Sequence, residues 1–207
     1  NEDGRSRRTH TPTCPLKPGR FTMKNAAFFA IAILFIGATP VMSQNPFDIN
    51  WETVTPAELQ DRMAEGLDPD QRWRSIGMTP LMYAAASNVN PEVVTTLLDA
   101  GADLSARNAV GFTALMTAAA NTDNPAVVEA LLDAGADPSA RADLDWTPLM
   151  IAAEFSNSPE VVLLLLEAGA DASAQDDDGE TAWDKIQENG ALENTPAYWA
   201  LNDLRFE

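Results

Sequence analysis

The stretch GMTPLMYAAASNVNPEVVTTLLDAGAD, residues 77–103, recurs along this chain at an interval of 34 residues. Its opening phrase returns as GFTALMTAAA at 111–120, as DWTPLMIAAE at 145–154 and, altered, as GETAWDKIQE at 179–188. The second phrase, NPEVVTTLLDAGAD, returns twice with the same spacing. A fixed period of this size indicates a stack of like supersecondary units, each of which buries its apolar face against its neighbours.

Local signals predict two helices in each unit. Thr79 has the hydroxyl that a helix N-cap needs, and Pro80 follows at the first helical position, where a missing N–H has no cost. Asn90 and Pro91 repeat this arrangement before a second helix, whose valines and leucines mark one amphipathic face. Gly101 then ends the helix in the left-handed conformation common at C-termini, and an extended turn leads to the next glycine.

Helix, turn, helix and β-turn in this order, with the phrases GMTPLMYAA and VVTTLLDAGADLSA, resemble the ankyrin repeat. The resemblance extends from about Trp51 to the C-terminus. It implies an all-α ankyrin-repeat solenoid, in which helix–turn–helix units with β-turn fingers are stacked with a 34-residue period.

The sequence departs from the family pattern in three ways. The period is 34 where the family has 33, and the additional residue falls between the two helices of each full unit. The histidine usual in the first helix is replaced by Met82, Met116 and Met150, so we expect thioether packing there. Asp145 stands where the other units have glycine, and Asp tolerates a positive φ better than most residues.

The repeats divide the chain into segments. We expect two altered ends with polar outer faces around three full units, as a soluble solenoid requires. The predicted segments are an upstream extension that is not native (1–22), a signal peptide (23–43), an N-terminal linker and capping repeat (44–76), three full repeats (77–110, 111–144 and 145–178), and a C-terminal capping repeat and helix (179–207).

The segment from Met23 has the features of a secretory leader. Lys24 precedes an apolar run, residues 26–37, and small residues lead to Ser43. We expect translation to begin at Met23 and cleavage to follow Ser43, with Gram-negative-type export to the periplasm or outside the cell. A membrane anchor is the alternative, but a run of about 12 residues is too short to span about 30 Å as a helix.

Cleavage at that point restricts the available chemistry. The only cysteine, Cys14, and the only histidine, His10, lie upstream of the leader. The mature chain then lacks the thiol and imidazole that Cys–His and Ser–His–Asp catalysis require. It also lacks a phosphate-binding GxxxxGK[ST] loop. We therefore expect no enzyme activity and no cofactor.

Downstream of Ser43 the chain is strongly acidic, with 29 Asp plus Glu against 7 Lys plus Arg and a net charge of about −22. Such a surface repels DNA, RNA and anionic membranes. We expect no nucleic-acid binding and no stable membrane insertion after cleavage. The charge either serves solubility or favours a basic partner protein.

Two charged features of the sequence raise the question of a metal site and of an ion pair. The run from Asp176 to Asp178 lacks the alternating spacing of a calcium loop, and we expect a solvated finger tip and no metal site. A carboxylate-based divalent-cation binder remains the alternative. Lys185, with Asp184 and Glu188 nearby in sequence, is expected to form a surface ion pair.

In ankyrin proteins the finger tips and the outward side of the first helix form a concave binding face. Carried over by repeat position, that face comprises Arg72, Trp73, Arg74, Met78, Tyr83, Asn108, Val110, Phe112, Thr117, Asp143, Leu144, Trp146, Ile151, Phe155, Asp177, Asp178 and Glu180. Phe112 and Trp146 are either binding anchors, since large side chains dominate hot spots, or rings packed on neighbouring fingers.

The resemblance implies a non-catalytic module that binds a protein partner through its concave face, and the leader pattern adds export; we expect the module to be a monomer. A host-directed secreted effector with the same fold is a further alternative. The fold itself licenses no particular partner.

Overall fold

The computed structural model describes residues 49–73, 76–87, 90–122 and 124–204, and the predictions for segments 1–22 and 23–43 lie outside them. The regular elements of these residues are nine α-helices and one short 3-10 turn at Asp143–Asp145. The helices are α1 (Pro56–Ala64), α2 (Pro80–Ala86), α3 (Pro91–Asp99), α4 (Ala114–Asn121), α5 (Pro125–Asp133), α6 (Pro148–Phe155), α7 (Pro159–Glu167), α8 (Ala182–Ile186) and α9 (Pro196–Leu204).

The helices stack in two layers. In the inner layer α2 packs on α4, α4 on α6 and α6 on α8. In the outer layer the order of contacts is α1, α3, α5, α7 and α9. Each full unit contributes one helix to each layer, so the predicted all-α ankyrin-repeat solenoid is confirmed.

Threonine caps begin the inner helices. The side-chain oxygens of Thr79, Thr113 and Thr147 accept hydrogen bonds from the backbone N–H three residues later, at 3.4, 3.3 and 3.3 Å. An N-cap of this kind stabilises a helix by about 1 kcal/mol. All three threonines are buried, so the caps also satisfy N–H groups that water does not reach.

The inner-layer core consists of methionines and alanines at the same register. Met82, Met116 and Met150 are fully buried, as is the alanine pair that follows two residues later in each helix. Small alanine side chains let adjacent helices approach closely, and flexible thioethers fill the remaining gaps. The predicted replacement of a polar link by thioether packing is therefore confirmed.

The two ends of the stack differ. At the N-terminal end α1 has an outer-layer position, and Ile49, Trp51 and Val54 are buried where an inner helix would lie. The Trp51 ring stacks on Tyr83 of α2, with ring centroids 6.2 Å apart. At the C-terminal end α9 covers α7 and α8, and its Trp199 is 51% exposed.

Candidate functional site

Four fingers project from the inner layer, and each is closed by one backbone hydrogen bond from the N–H of its first residue to the carbonyl of its last. Finger 1 is Trp73–Met78, finger 2 is Asn108–Phe112, finger 3 is Ala142–Trp146 and finger 4 is Asp176–Glu180. The closing distances are 2.9, 3.0, 2.8 and 3.0 Å. Finger 1 is one residue longer than the others, and its residues 74 and 75 lie outside the described part.

Backbone hydrogen bonds also join each finger to the next. The Ala109 N–H donates to the Ile76 carbonyl at 2.9 Å, and the Asp143 N–H donates to the Val110 carbonyl at 3.2 Å. The Asp177 N–H donates to the Leu144 carbonyl at 3.1 Å. The finger tips therefore form one continuous, internally bonded edge.

An arginine ladder runs along the base of this edge, and the sequence reasoning missed it. Arg72 donates to the backbone carbonyl of Arg107 at 2.6 Å, Arg107 donates to that of Arg141, and Arg141 donates to that of Gln175 at 3.0 Å. The recurrence of arginine after 35 and 34 residues was the available signal. The exposed Arg72 is thus held by the next finger, whereas Arg74 lies outside the described residues.

In fingers 2 and 4 a side chain at the first position holds the turn. Asn108 Oδ1 accepts from the Val110 and Phe112 N–H groups at 3.0 and 2.9 Å. Asp176 Oδ1 makes the same pair of bonds in finger 4, at 3.0 and 2.9 Å. Finger 3 has Ala142 in this position and can make neither bond.

Finger 3 is also the finger without glycine. Asp145 has φ 60° there, so the expected positive φ is confirmed, and the adjacent Leu144 has φ 61°. A leucine in this region is uncommon, because its Cβ crowds the following carbonyl. The backbone at the tip of finger 3 is therefore strained. Backbone hydrogen bonds to fingers 2 and 4 hold this tip in place.

Six of the predicted binding-face residues are buried, with 0 to 9% of their surface exposed. Three of them end a finger and three lie on the inner helices; in that order they are Met78, Phe112 and Trp146, and Tyr83, Thr117 and Ile151. Their side chains have no surface to offer a partner, which corrects their assignment to an exposed face. The packing interpretation therefore holds for Phe112 and Trp146, and the Trp146 ring stacks on Phe155 with centroids 5.9 Å apart.

The other described candidates are accessible to different extents. Arg72, Asp143, Asp177, Asp178 and Glu180 are exposed. The half-buried candidates are Trp73, Asn108, Val110, Leu144 and Phe155. Trp73 lies beside Tyr83, with ring centroids 6.1 Å apart. The accessible part of the concave face is therefore the finger edge and not the surface of the inner helices.

Charge is unevenly distributed along the finger edge. The sequences of fingers 1 and 2 contain no acidic residue. Fingers 3 and 4 carry five exposed carboxylates, on Asp143, Asp145, Asp177, Asp178 and Glu180. Half of the edge is therefore strongly acidic, and the half-buried Leu144 lies within it.

Lys185 of α8 is buried and not at the surface, which corrects the sequence prediction. Its ammonium group pairs with Asp176 at 2.9 Å and with Glu180, and it lies 4.5 Å from the centroid of the Trp146 ring. The side chain is only 5% exposed. Its partners come from finger 4 and finger 3, whereas Asp184 caps the start of α8 by accepting from the Thr181 N–H at 2.9 Å.

The acidic partners determine the charge of Lys185. Burial alone would lower the pKa of Lys185, but its hydrogen bonds to Glu180 and Asp176 outweigh that effect and hold the pKa above the ordinary value. Lys185 therefore stays protonated at neutral pH and neutralises one of these carboxylates.

Glu154, at the end of α6, completes this group. Burial raises the pKa of Glu154 to about 7; the charge of Lys185 opposes the rise, and Glu188, Glu180 and Asp176 reinforce it. A carboxylate with this pKa is partly protonated at neutral pH.

The structure also corrects the prediction that the Asp176–Asp178 run is a solvated finger tip. Asp176 is buried rather than a solvated tip residue, and both its oxygens already have partners in Lys185 and the finger backbone. Within the described residues, no group of three or more His, Cys, Asp or Glu side chains is arranged to hold a metal ion.

A family model described as ankyrin repeats (3 copies) matches residues 58–142 and 81–176, which together make up more than half of the chain. The chain belongs to the ankyrin-repeat family. Ankyrin repeats indicate a protein–protein interaction module, and proteins built from them are typically non-catalytic. A search of curated proteins returned no match.

The helices of this ankyrin stack are short. None in the part of the chain that the structure describes is long and apolar enough to cross a membrane.

Proposed function

We propose that this ankyrin-repeat protein is a non-catalytic interaction module that binds a basic segment of another protein through its acidic finger face. The acidic finger face consists of Asp143, Leu144, Asp145, Asp177, Asp178 and Glu180. The observation that carries the proposal is the charge asymmetry of the edge, where fingers 3 and 4 hold five exposed carboxylates and fingers 1 and 2 hold none.

The backbone of this face favours binding because it is already ordered. Fingers 3 and 4 are joined by the hydrogen bond from Asp177 to Leu144, and each is closed by its own backbone bond. A preorganised surface loses little conformational entropy when a partner binds. The affinity then depends on the contacts themselves.

The side chains supply two kinds of contact. Complementary charge speeds encounter and selects against acidic partners, so lysines or arginines in the partner meet Asp143, Asp177 and Asp178. Of the other two carboxylates of this face, Asp145 lies 3.6 Å from Arg141 and Glu180 pairs with Lys185. The half-buried Leu144 offers an apolar contact at the centre of these charges. A short segment that combines basic residues with an apolar side chain matches this pattern.

The test is affinity capture followed by mass spectrometry, with the wild type and a variant carrying Asp143→Asn, Asp177→Asn and Asp178→Asn. We expect the variant to lose most of the partner recovered by the wild type. We also expect recovery by the wild type to fall between 150 mM and 500 mM salt, because the Debye length shortens from about 8 Å at 0.15 M toward about 3 Å at 1 M and the attraction between the two charged surfaces weakens.

A matched control removes three exposed charges from the outer helices through Glu129→Gln, Asp133→Asn and Glu167→Gln. This variant has the same net charge as the finger variant and should recover the partner as the wild type does. Equal recovery by the finger variant, or equal losses in both variants, would contradict the proposed face.

We further propose that the module acts after export, in the periplasm or outside the cell. The support is the leader pattern of residues 23–43, and the partner must then share that compartment. Cell fractionation with mass determination of the N-terminus tests this proposal. A cytoplasmic protein with an uncleaved leader would contradict it, and recovery from the medium would favour the secreted form over the periplasmic one.

A further inference from the structure

The hydrogen-bonded edge of finger tips ends at finger 4 with an unused backbone acceptor. In each of the first three fingers, the carbonyl two residues before the end of the finger accepts a hydrogen bond from a backbone N–H of the next finger. The corresponding carbonyl of finger 4 belongs to Asp178, and it accepts no hydrogen bond from any described residue. Asp178 is exposed, so a partner can reach this end of the edge.

A second acceptor is unused at the next residue of finger 4. The penultimate carbonyls of fingers 2 and 3 accept hydrogen bonds from the guanidinium groups of Arg107 and Arg141, at 3.3 and 3.2 Å. The fourth unit has Gln175 at the corresponding position, 34 residues after Arg141. The penultimate carbonyl of finger 4, on Gly179, therefore accepts no hydrogen bond within the part of the chain that the structure describes.

An arginine of this protein shows which group fits such a position. Arg141 donates to the carbonyl of Asp145, and the same nitrogen lies 3.6 Å from an oxygen of the Asp145 carboxylate. A guanidinium is planar and permanently charged, and its five N–H donors can serve a carbonyl and a carboxylate together. The ammonium group of lysine has three donors on a single nitrogen and lacks this fork. Finger 3 thus contains a template for arginine bound to a finger.

The unused acceptors of finger 4 lie beside two carboxylates that have no cation. Asp177 and Asp178 are exposed, and no described lysine or arginine pairs with either of them. Glu180, in contrast, already pairs with Lys185. Complementary charge therefore favours a cation at this end of the edge, and the neutral Gln175 does not supply one.

We propose that the open end of finger 4, formed by the carbonyls of Asp178 and Gly179 and the carboxylates of Asp177 and Asp178, binds an arginine side chain of the partner. The guanidinium donates to the Gly179 carbonyl and pairs with the carboxylates, as Arg141 does in finger 3. A backbone N–H of the same segment donates to the Asp178 carbonyl and continues the edge. This inference rests on the proposed function and narrows its basic segment to one that contains arginine.

NMR titration of the wild-type full chain tests the site with two blocked peptides of equal charge, Arg-Leu-Arg and Lys-Leu-Lys. We expect the arginine peptide to shift the backbone carbonyl carbon signals of Asp178 and Gly179. The lysine peptide should bind about tenfold more weakly, because an ammonium group cannot make the paired hydrogen bonds of a guanidinium. Equal affinities, or carbonyl shifts confined to other fingers, would overturn the proposal.

A variant that fills the site from within the chain gives a second test. Gln175→Arg places a guanidinium at the position of Arg107 and Arg141, and it should weaken binding of the arginine peptide by about tenfold or more. The control Gln60→Arg makes the same change of charge on the exposed face of α1, at the other end of the stack. It should bind within about twofold of the wild type, because a distant surface charge is screened. Equal affinities of the two variants would overturn the proposal, and the wild-type titration decides the question if Gln175→Arg folds poorly.

The arginine site and the proposed function fail in different ways. If both peptides bind equally well at fingers 3 and 4, the acidic finger face stands and the arginine site is wrong. If the arginine peptide binds the open end of finger 4 but the Asp143→Asn, Asp177→Asn, Asp178→Asn variant still captures the cellular partner, the arginine site stands and the proposed function is wrong.

Discussion

Replacing Lys185 with methionine keeps the length of the side chain and removes its charge from the cluster that joins finger 4 to α8. The ammonium group pairs with the buried Asp176 at 2.9 Å and lies 4.5 Å from the Trp146 ring. Removal of one partner from a buried pair costs about 3 to 5 kcal/mol, and a cation–π contact adds about 1 kcal/mol. Because Glu180 is 51% exposed and can be rehydrated, we expect a loss of about 3 to 4 kcal/mol.

Urea unfolding followed by far-UV circular dichroism at pH 7 measures this loss. With a slope of about 2 kcal/mol per M, the midpoint should fall by about 1.5 to 2 M. A fall of less than about 0.5 M would show that the pair contributes little, as an exposed ion pair would.

A double-mutant cycle separates the pair from the rest of the site. Asp176→Asn removes the charge but keeps the oxygen that holds the finger turn, as Asn108 does in finger 2. The double variant Asp176→Asn, Lys185→Met should cost less than the sum of the single variants by at least about 1 kcal/mol. Strict additivity would refute the direct interaction.

Three further predictions concern the fingers. Combining Ala142→Asn with Asp145→Gly gives finger 3 the residue types of finger 2 and should raise the unfolding free energy by about 1 kcal/mol; a decrease in the urea midpoint would contradict this. Gly111→Ala should be more destabilising than Gly179→Ala, although both have positive φ (76° and 79°), because a Cβ at 111 would lie 3.0 Å from the Asp143 backbone nitrogen whereas one at 179 meets nothing within 4 Å. Equal melting temperatures would refute that reasoning. Arg107→Ala should cost only about 0.5 to 1 kcal/mol, because the two carbonyls that Arg107 contacts become accessible to water; a loss above about 2 kcal/mol would show that the ladder has a larger role.

Local and periodic features of this fold could be read from the sequence. The caps at Thr79 and Asn90 depend on residues within a few positions of each other, and Gly101 has the predicted left-handed conformation with φ 93°. The 34-residue period determines which helices stack, since each unit must bury its face on the next. These features need no knowledge of distant contacts.

The burial of side chains on the concave side could not be predicted from local or periodic sequence features. Trp146 and Phe112 share a register with Met78, and the register does not indicate whether a ring points to solvent or into the angle below the fingers. The structure buries all three side chains, because the fingers lie close to the inner helices. Tertiary packing therefore determines where these three side chains lie.

The prediction for the environment of Lys185 was also wrong, because its partners are brought together only by folding. Its sequence neighbours Asp184 and Glu188 were expected as partners, but the folded finger brings Asp176 and Glu180 to it. The arginine ladder, in contrast, left a visible signal in the spacing of Arg72, Arg107 and Arg141. A comparison of each register position across the repeats would have found it.

The most direct test of the proposed binding face is site-specific photo-crosslinking in cells, with the photoreactive residue placed at Asp178 on finger 4 or at Glu129 on the outer helix α5. Both positions are exposed acids, so the two variants differ in location and not in charge. We predict that a basic partner is crosslinked from position 178 and not from position 129. Crosslinking from position 129 with none from position 178 would contradict the account.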